Sequence, residues 1–114
     1  ILFAGNIINK NKIVIKEFYK EDNINLEREW IFEKINDNNY LGKENSVVGN
    51  IKVSCRNNYI NMNYLFKIMF WKHGLNVRVV DDMYLINDKE IINSTLISKF
   101  KINLAHSFLL YKKL

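Results

Sequence analysis

Apolar and polar residues alternate with a period of two along most of the chain, and no long stripe of helical spacing interrupts them. The clearest stretch is 59–70, where Ile60, Met62, Tyr64, Phe66, Ile68 and Phe70 share one face while Tyr59, Asn61, Asn63 and Lys67 share the other. Successive side chains of a strand point to opposite faces, so this pattern predicts a half-buried antiparallel strand. Ile24 to Phe32 repeats it, with Ile24, Leu26, Trp30 and Phe32 opposite Asn25, Glu27 and Glu29. Further strands are predicted over 2–8, 13–20, 40–43, 47–55, 75–86, 91–100 and 104–111. Turn-formers separate them: Asn9-Lys10-Asn11, Asp22-Asn23, Asn36-Asp37-Asn38-Asn39, Arg56-Asn57-Asn58, His73-Gly74 and Asn87-Asp88-Lys89. Asn and Asp tolerate left-handed backbone and bond to nearby backbone N–H groups, so they can replace the scarce Gly and absent Pro.

Eight or nine short strands joined by short turns describe an up-and-down meander. Such a meander must close or leave two exposed edges, and there is no proline to blunt an edge. The expected fold is therefore all-β, an antiparallel up-and-down meander closing into a barrel of about eight strands. A barrel of that size is filled by side chains or holds one small ligand. With 114 residues and no linker, repeat or low-complexity tract, a single domain over 1–114 is expected.

Charges on core-facing rows are the informative exceptions, because burying one unpaired is costly. If Asp22-Asn23 forms a two-residue hairpin loop, Ile13 faces Phe32, Ile15 faces Trp30, Tyr19 faces Leu26 and Glu17 faces Arg28. Glu17 and Arg28 each break the apolar face of their own strand, and a cross-strand pair inside the barrel explains both, with Trp30 diagonal to Glu17. The plainer reading is an ion pair that sets registry. The functional reading is a polar anchor at a pocket floor, where Arg28 holds a ligand carboxylate or phosphate against Glu17. Asp81-Asp82 forms a second interruption in an apolar stretch, and one of the two must point inward. A buried Asp bonded to Lys99, Asn93 or backbone donors is the expected state. Adjacent strand residues face opposite ways, so the pair cannot readily share a metal.

Composition removes classes of function more than it selects one. Apolar residues make up 48% and aromatics 13%, too hydrophobic for disorder. No apolar run approaches the ~20 residues of a membrane-spanning helix. Asn, Ile and Lys number 18, 16 and 14, all written with A/T-rich codons, which points to a biased genome and weakens arguments from counts. The net charge of +5 rests on 14 Lys against 3 Arg, with the lysines scattered singly apart from Lys112-Lys113, so nucleic acid is not an expected partner. The lone Cys55 cannot form an internal disulfide, and it reads as a small buried apolar residue. His73 and His106 are too few for a zinc site, so no metal and no cofactor are expected. Asn93-Ser94-Thr95 fits a glycosylation sequon, a chance match in so Asn-rich a chain.

Glu17-Phe18, the Asp22-Asn23 turn, Arg28-x-Trp30, Tyr40-x-Gly42, Val47-Val48-Gly49, Asp81-Asp82, Asn93 and Ser98-Lys99-Phe100 follow one another in a familiar order. This ordered set, from about Phe3 to Lys112, resembles a family of bacterial envelope lipoproteins catalogued as domain of unknown function 3833. The resemblance implies a lipocalin-like barrel preceded by a lipoprotein signal peptide and an opening strand region. The chain starts at Ile1 without either, so an N-terminally incomplete barrel is expected, with membrane contact only through a lipid anchor outside this chain. It also implies a cell-envelope location. The chain departs from the family pattern before Met83, where a Trp is missing, and at Ser46, Ser94 and Lys101, which replace an acid, an Arg and a Gly.

The resulting expectation is a non-enzymatic barrel without catalytic residues that binds a small amphipathic or lipid-like ligand. Trp30, Phe32, Tyr64, Phe66 and Phe70 would hold the tail, and Glu17, Arg28, Asp82 and Lys99, with Asn93 nearby, the head group. An enzyme using Glu17 or Asp82 as general base, with Arg28 or Lys99 as electrostatic stabiliser, and a structural barrel with a filled core are the alternatives.

Overall fold

The computed structural model describes residues 2–70 and 72–114, without the side chain of Phe70, whose expected place in the tail site lies outside the described residues. Nine strands follow one another: β1 (Leu2–Asn9), β2 (Lys12–Glu21), β3 (Ile24–Asn36), β4 (Asn39–Lys43), β5 (Val47–Arg56), β6 (Tyr59–Phe70), β7 (His73–Asn87), β8 (Glu90–Lys99) and β9 (Ile102–Lys112). Their spatial order is their chain order, every neighbouring pair is antiparallel, and the sheet curls strongly into a half-barrel. Each expected strand is present. β3 extends four residues beyond Phe32, because Glu33, Lys34 and Asn36 pair with β4 although the apolar alternation has ended.

The turns show why so few glycines suffice. Asp22 and Asn23 have φ of 51° and 63°, the left-handed pair that a two-residue hairpin requires. Asn9, Asn36 and Asn87 each accept from the backbone N–H two residues on, at 2.8, 3.0 and 2.8 Å, closing their own turns. His73-Gly74, expected as a turn, instead opens β7, with Phe70 facing His73 and Met69 facing Gly74. Strand pairing up to the hairpin end displaces the turn towards the N-terminus, and Lys72 carries the left-handed φ of 64°. The β8–β9 turn is Phe100-Lys101, at φ 52° and 62°, a pair with no turn-forming residue.

Core side chains come from the middle strands: Trp30 and Phe32 of β3, Val47, Ile51 and Val53 of β5, Tyr64 of β6, and Val77 and Val79 of β7. Each large apolar group so buried contributes roughly 1.5–3 kcal/mol. Gly42 faces Phe32 across the β3–β4 ladder, and a Cβ there would stand 2.7 Å from two Phe32 ring atoms. The glycine of Tyr40-x-Gly42 thus makes room for a core ring. Gly49, at φ 77°, sits where the β5–β6 register shifts between Val48 and Lys52, the backbone a bulge needs.

Burial thins towards the terminal strands. β1 and β9 share no ladder among the described residues, yet the curl brings the Phe3 and Tyr111 rings edge to face at 5.3 Å. Register places Phe3 opposite Glu17, Ile7 opposite Ile13 and Leu109 opposite Asn93, so all three point to the concave face. They nevertheless remain 41, 78 and 42% exposed. The concave side is packed through β3–β7 and open at β1 and β9.

Candidate functional site

The hairpin registry places Glu17 opposite Arg28, as the alternation predicts, together with Ile13–Phe32, Ile15–Trp30 and Tyr19–Leu26. Arg28 Nη1 lies 3.8 Å from Glu17 Oε1, and the Trp30 indole N–H donates to the same oxygen at 3.1 Å. Arg28 also reaches Glu44, Nε to Oε1 at 3.4 Å, and its Nη2 donates to the Tyr19 hydroxyl at 3.4 Å. The guanidinium lies 5.0–5.9 Å from the centroids of Phe66, Tyr19 and Trp30, within cation–π range of each. Glu44 follows β4, with a side chain only 4% exposed. Its other oxygen accepts from the Ser46 backbone N–H at 2.8 Å, which fixes the carboxylate while it faces Arg28.

A second cluster lies across the sheet. Asp81, opposite Met62, is buried, and it accepts from the Tyr64 hydroxyl at 2.9 Å and from the Thr95 hydroxyl. Asn93 Nδ2 donates to Thr95 Oγ1 at 3.1 Å. The buried Oδ1 of Asn93 has no partner among the described residues. The Trp30 and Tyr64 rings meet edge to face at 5.9 Å and join the two clusters.

Burial, and then the Asp81 carboxylate beside it, push the Tyr64 phenol far above its ordinary value. Tyr111, two positions from Leu109 on the inward row of β9, is likewise raised, by burial first and then by the Glu17 and Asp81 charges. The Tyr111 ring therefore sits within electrostatic reach of both clusters. A shallow hollow of about 270 Å³ adjoins it at the rim, lined also by Leu85, Ile91, Lys89 and Lys112.

Glu17, Arg28, Trp30, Tyr64 and Asn93 of the expected set are thus gathered on the concave side. Asp82 is not, and Lys99, on the inward row of β8 but at the strand end, stays apart from them. Asp82 pairs with Asn61 on the opposite face, where it accepts from Asn61 Nδ2 at 2.8 Å and from the Tyr59 hydroxyl, so Asp81 is the inward member of the pair. That hydrogen bond is the main cause of the raised Tyr59 phenol. Lys99 Nζ donates to the Asn76 carbonyl at 2.6 Å and lies over the Phe100 ring, so it does not reach the head-group cluster. Strand parity restricted the choice to one aspartate without saying which, and it placed Lys99 on the inward row without showing that the strand end turns its ammonium to the Asn76 carbonyl.

Glu44, Thr95 and Tyr111 were missed. Glu44 lies in a turn, where alternation carries no information, and a hydroxyl or a tyrosine near a chain end carries no distinctive pattern. Asn93 is buried, so the folded sequon presents no reachable amide. His106 Nε2 meets Ser94 Oγ at 2.9 Å at an exposed site, and no metal-holding group of three His, Cys, Asp or Glu occurs among the described residues.

A family model described as protein of unknown function (DUF3833) matches residues 2–113, and the chain belongs to that family. No match was found among curated proteins or among solved structures.

Proposed function

We propose that the half-barrel binds a small amphipathic or lipid-like ligand along the open part of its concave face. The observation carrying this reading is the pairing of exposed inward apolar groups, Phe3, Ile7 and Leu109, with a buried polar patch that keeps a free acceptor at Asn93. A purely structural interior would satisfy its polar atoms internally, since a buried group without a partner costs roughly 1–3 kcal/mol. In this reading the tail lies against Phe3, Ile7, Ile13 and Leu109, nearer the seam than the expected site around Phe32 and Phe66. The Asp81 and Asn93 region receives the head group.

Native mass spectrometry after mild purification tests the reading. An adduct of lipid-like mass, displaced by a neutral lipophilic fluorophore, is the expected result. A ligand-free mass together with no fluorophore binding would refute it. The envelope location implied by the family resemblance belongs to the same proposal, and fractionation of cells expressing the natural gene tests it.

A further inference from the structure

Around Arg28 and Asp81 the concave face carries more acid than base. Glu17, Glu44 and Asp81 all lie on it, with Glu44 and Asp81 at least nine-tenths buried, and Arg28 is the cation set among them. Arg28 divides itself between Glu17 and Glu44, so it balances only one of the two charges it touches. Lys34 and Lys99 are engaged elsewhere, by Asp37 and by the Asn76 carbonyl. Asp81 is held by neutral hydroxyls alone among the described residues. Hydrogen bonds stabilise its charge without neutralising it.

The second observation is independent of charge. Asn93 is 8% exposed, one of its two amide N–H groups goes to Thr95, and its oxygen is an acceptor without a partner among the described residues. What this region offers an incoming group is thus negative charge and a lone pair. An anionic head would meet Asp81 without a counter-ion and find Arg28 already shared. Arg28, already shared between two carboxylates, is a weaker anchor for a carboxylate or phosphate than the Asp81–Asn93 pair is for a cation.

We propose that the head group accepted by the concave face is a primary ammonium, its N–H groups shared between the Asp81 carboxylate and Asn93 Oδ1. The proposal rests on the reading that the trough binds an amphipathic ligand, and it names the class of that ligand. A quaternary ammonium would satisfy the charge, but it has no N–H for Asn93. Lys89, Lys112 and Lys113 outnumber Asp88 at the rim beside Tyr111 and the whole chain is cationic, so a preference for a cation has to arise inside.

Calorimetric titration of the whole chain with decylammonium, decyltrimethylammonium, decanol and decanoate, each below its aggregation concentration, tests this. Decylammonium is expected to bind about tenfold tighter than decanol, the factor supplied by one charge-assisted contact, with the trimethyl probe between them and decanoate weakest. Asp81→Asn keeps the side-chain shape and is expected to bring decylammonium down to the decanol level while leaving decanol unchanged. Should that variant fail to fold, Asn93→Leu replaces it and is expected to abolish the difference between the two ammonium probes. Decanoate binding as tightly as decylammonium, or all four probes binding alike, overturns the head-group assignment and leaves the trough reading standing. No binding of any probe overturns the trough reading and this proposal with it.

Discussion

Replacing Lys101 by glycine should make the protein more stable, although Lys101 touches nothing in the core. The residue is held at φ 62° in the β8–β9 turn, next to Phe100 at 52°. A side chain in left-handed backbone costs roughly 1–2 kcal/mol from the approach of Cβ to the following carbonyl. Glycine escapes that cost but brings back roughly 0.5–1 kcal/mol of freedom in the unfolded chain. The balance favours Lys101→Gly by roughly 0.5–1 kcal/mol, which for a domain of this size raises Tm by about 2–4 °C. Phe100→Asn should gain less, because it also loses the Lys99 ammonium lying 4.8 Å over the ring, a contact of roughly 0.5 kcal/mol at an exposed site. Thermal unfolding followed by circular dichroism, with urea titration to check that the m-value is unchanged, measures both. Lys112→Gly, in the extended backbone of β9, is the control and should lower Tm. An unchanged or lower Tm for Lys101→Gly would refute the reasoning, since it would mean that the turn does not hold that residue left-handed.

Arg28→Met strands the carboxylates of Glu17 and Glu44 and should cost roughly 3 kcal/mol in urea denaturation, with most of it recovered when Glu17→Gln and Glu44→Gln are added; no recovery would mean that the loss is one of packing. Gly42→Ala drives a methyl into the Phe32 ring and should cost roughly 1–3 kcal/mol, and a neutral result would show that the ring has room to move. The Tyr64 and Tyr111 phenols are raised in the folded state, so folding favours their protonated form. Their contribution to stability is complete below about pH 10, the ordinary tyrosine value, and is lost as pH rises from there towards the raised values. Alkaline titration should therefore show a tyrosinate fraction that appears only together with unfolding; smooth ionisation of every tyrosine in a folded protein would contradict this.

The strands were legible because alternation has one physical cause, a sheet with one face buried, and it persists through nearly every element. The Asp22-Asn23 turn then fixed a registry, and that registry brought Glu17 to Arg28 from eleven positions away in sequence with no further assumption. Legibility stopped where parity is interrupted. Glu44 sits in a turn, Lys99 ends its strand beside a turn that draws its ammonium away, and Asp81 and Asp82 are neighbours whose order on the two faces depends on where β6 pairs. The Phe100-Lys101 turn has no sequence signal, because the fold imposes left-handed backbone there on residues that do not favour it. Openness of the concave face is a property of the curl of the whole sheet, which no local pattern encodes.

Because among the described residues each strand bonds only to the strands before and after it in the chain, the molecule is assembled like a zip fastener. Its stability is close to a sum of nearest-neighbour terms, so cooperativity has to be carried by the core under β3–β7. Closing each hairpin spans only a short loop, which places folding among the faster β topologies. The β6–β7 ladder, with twelve facing residue pairs, is the natural place for the fastener to start. Amide exchange should accordingly be slowest there and quicken strand by strand in both directions, and a steady pull on the two ends should peel β1 and β9 away first while the middle holds.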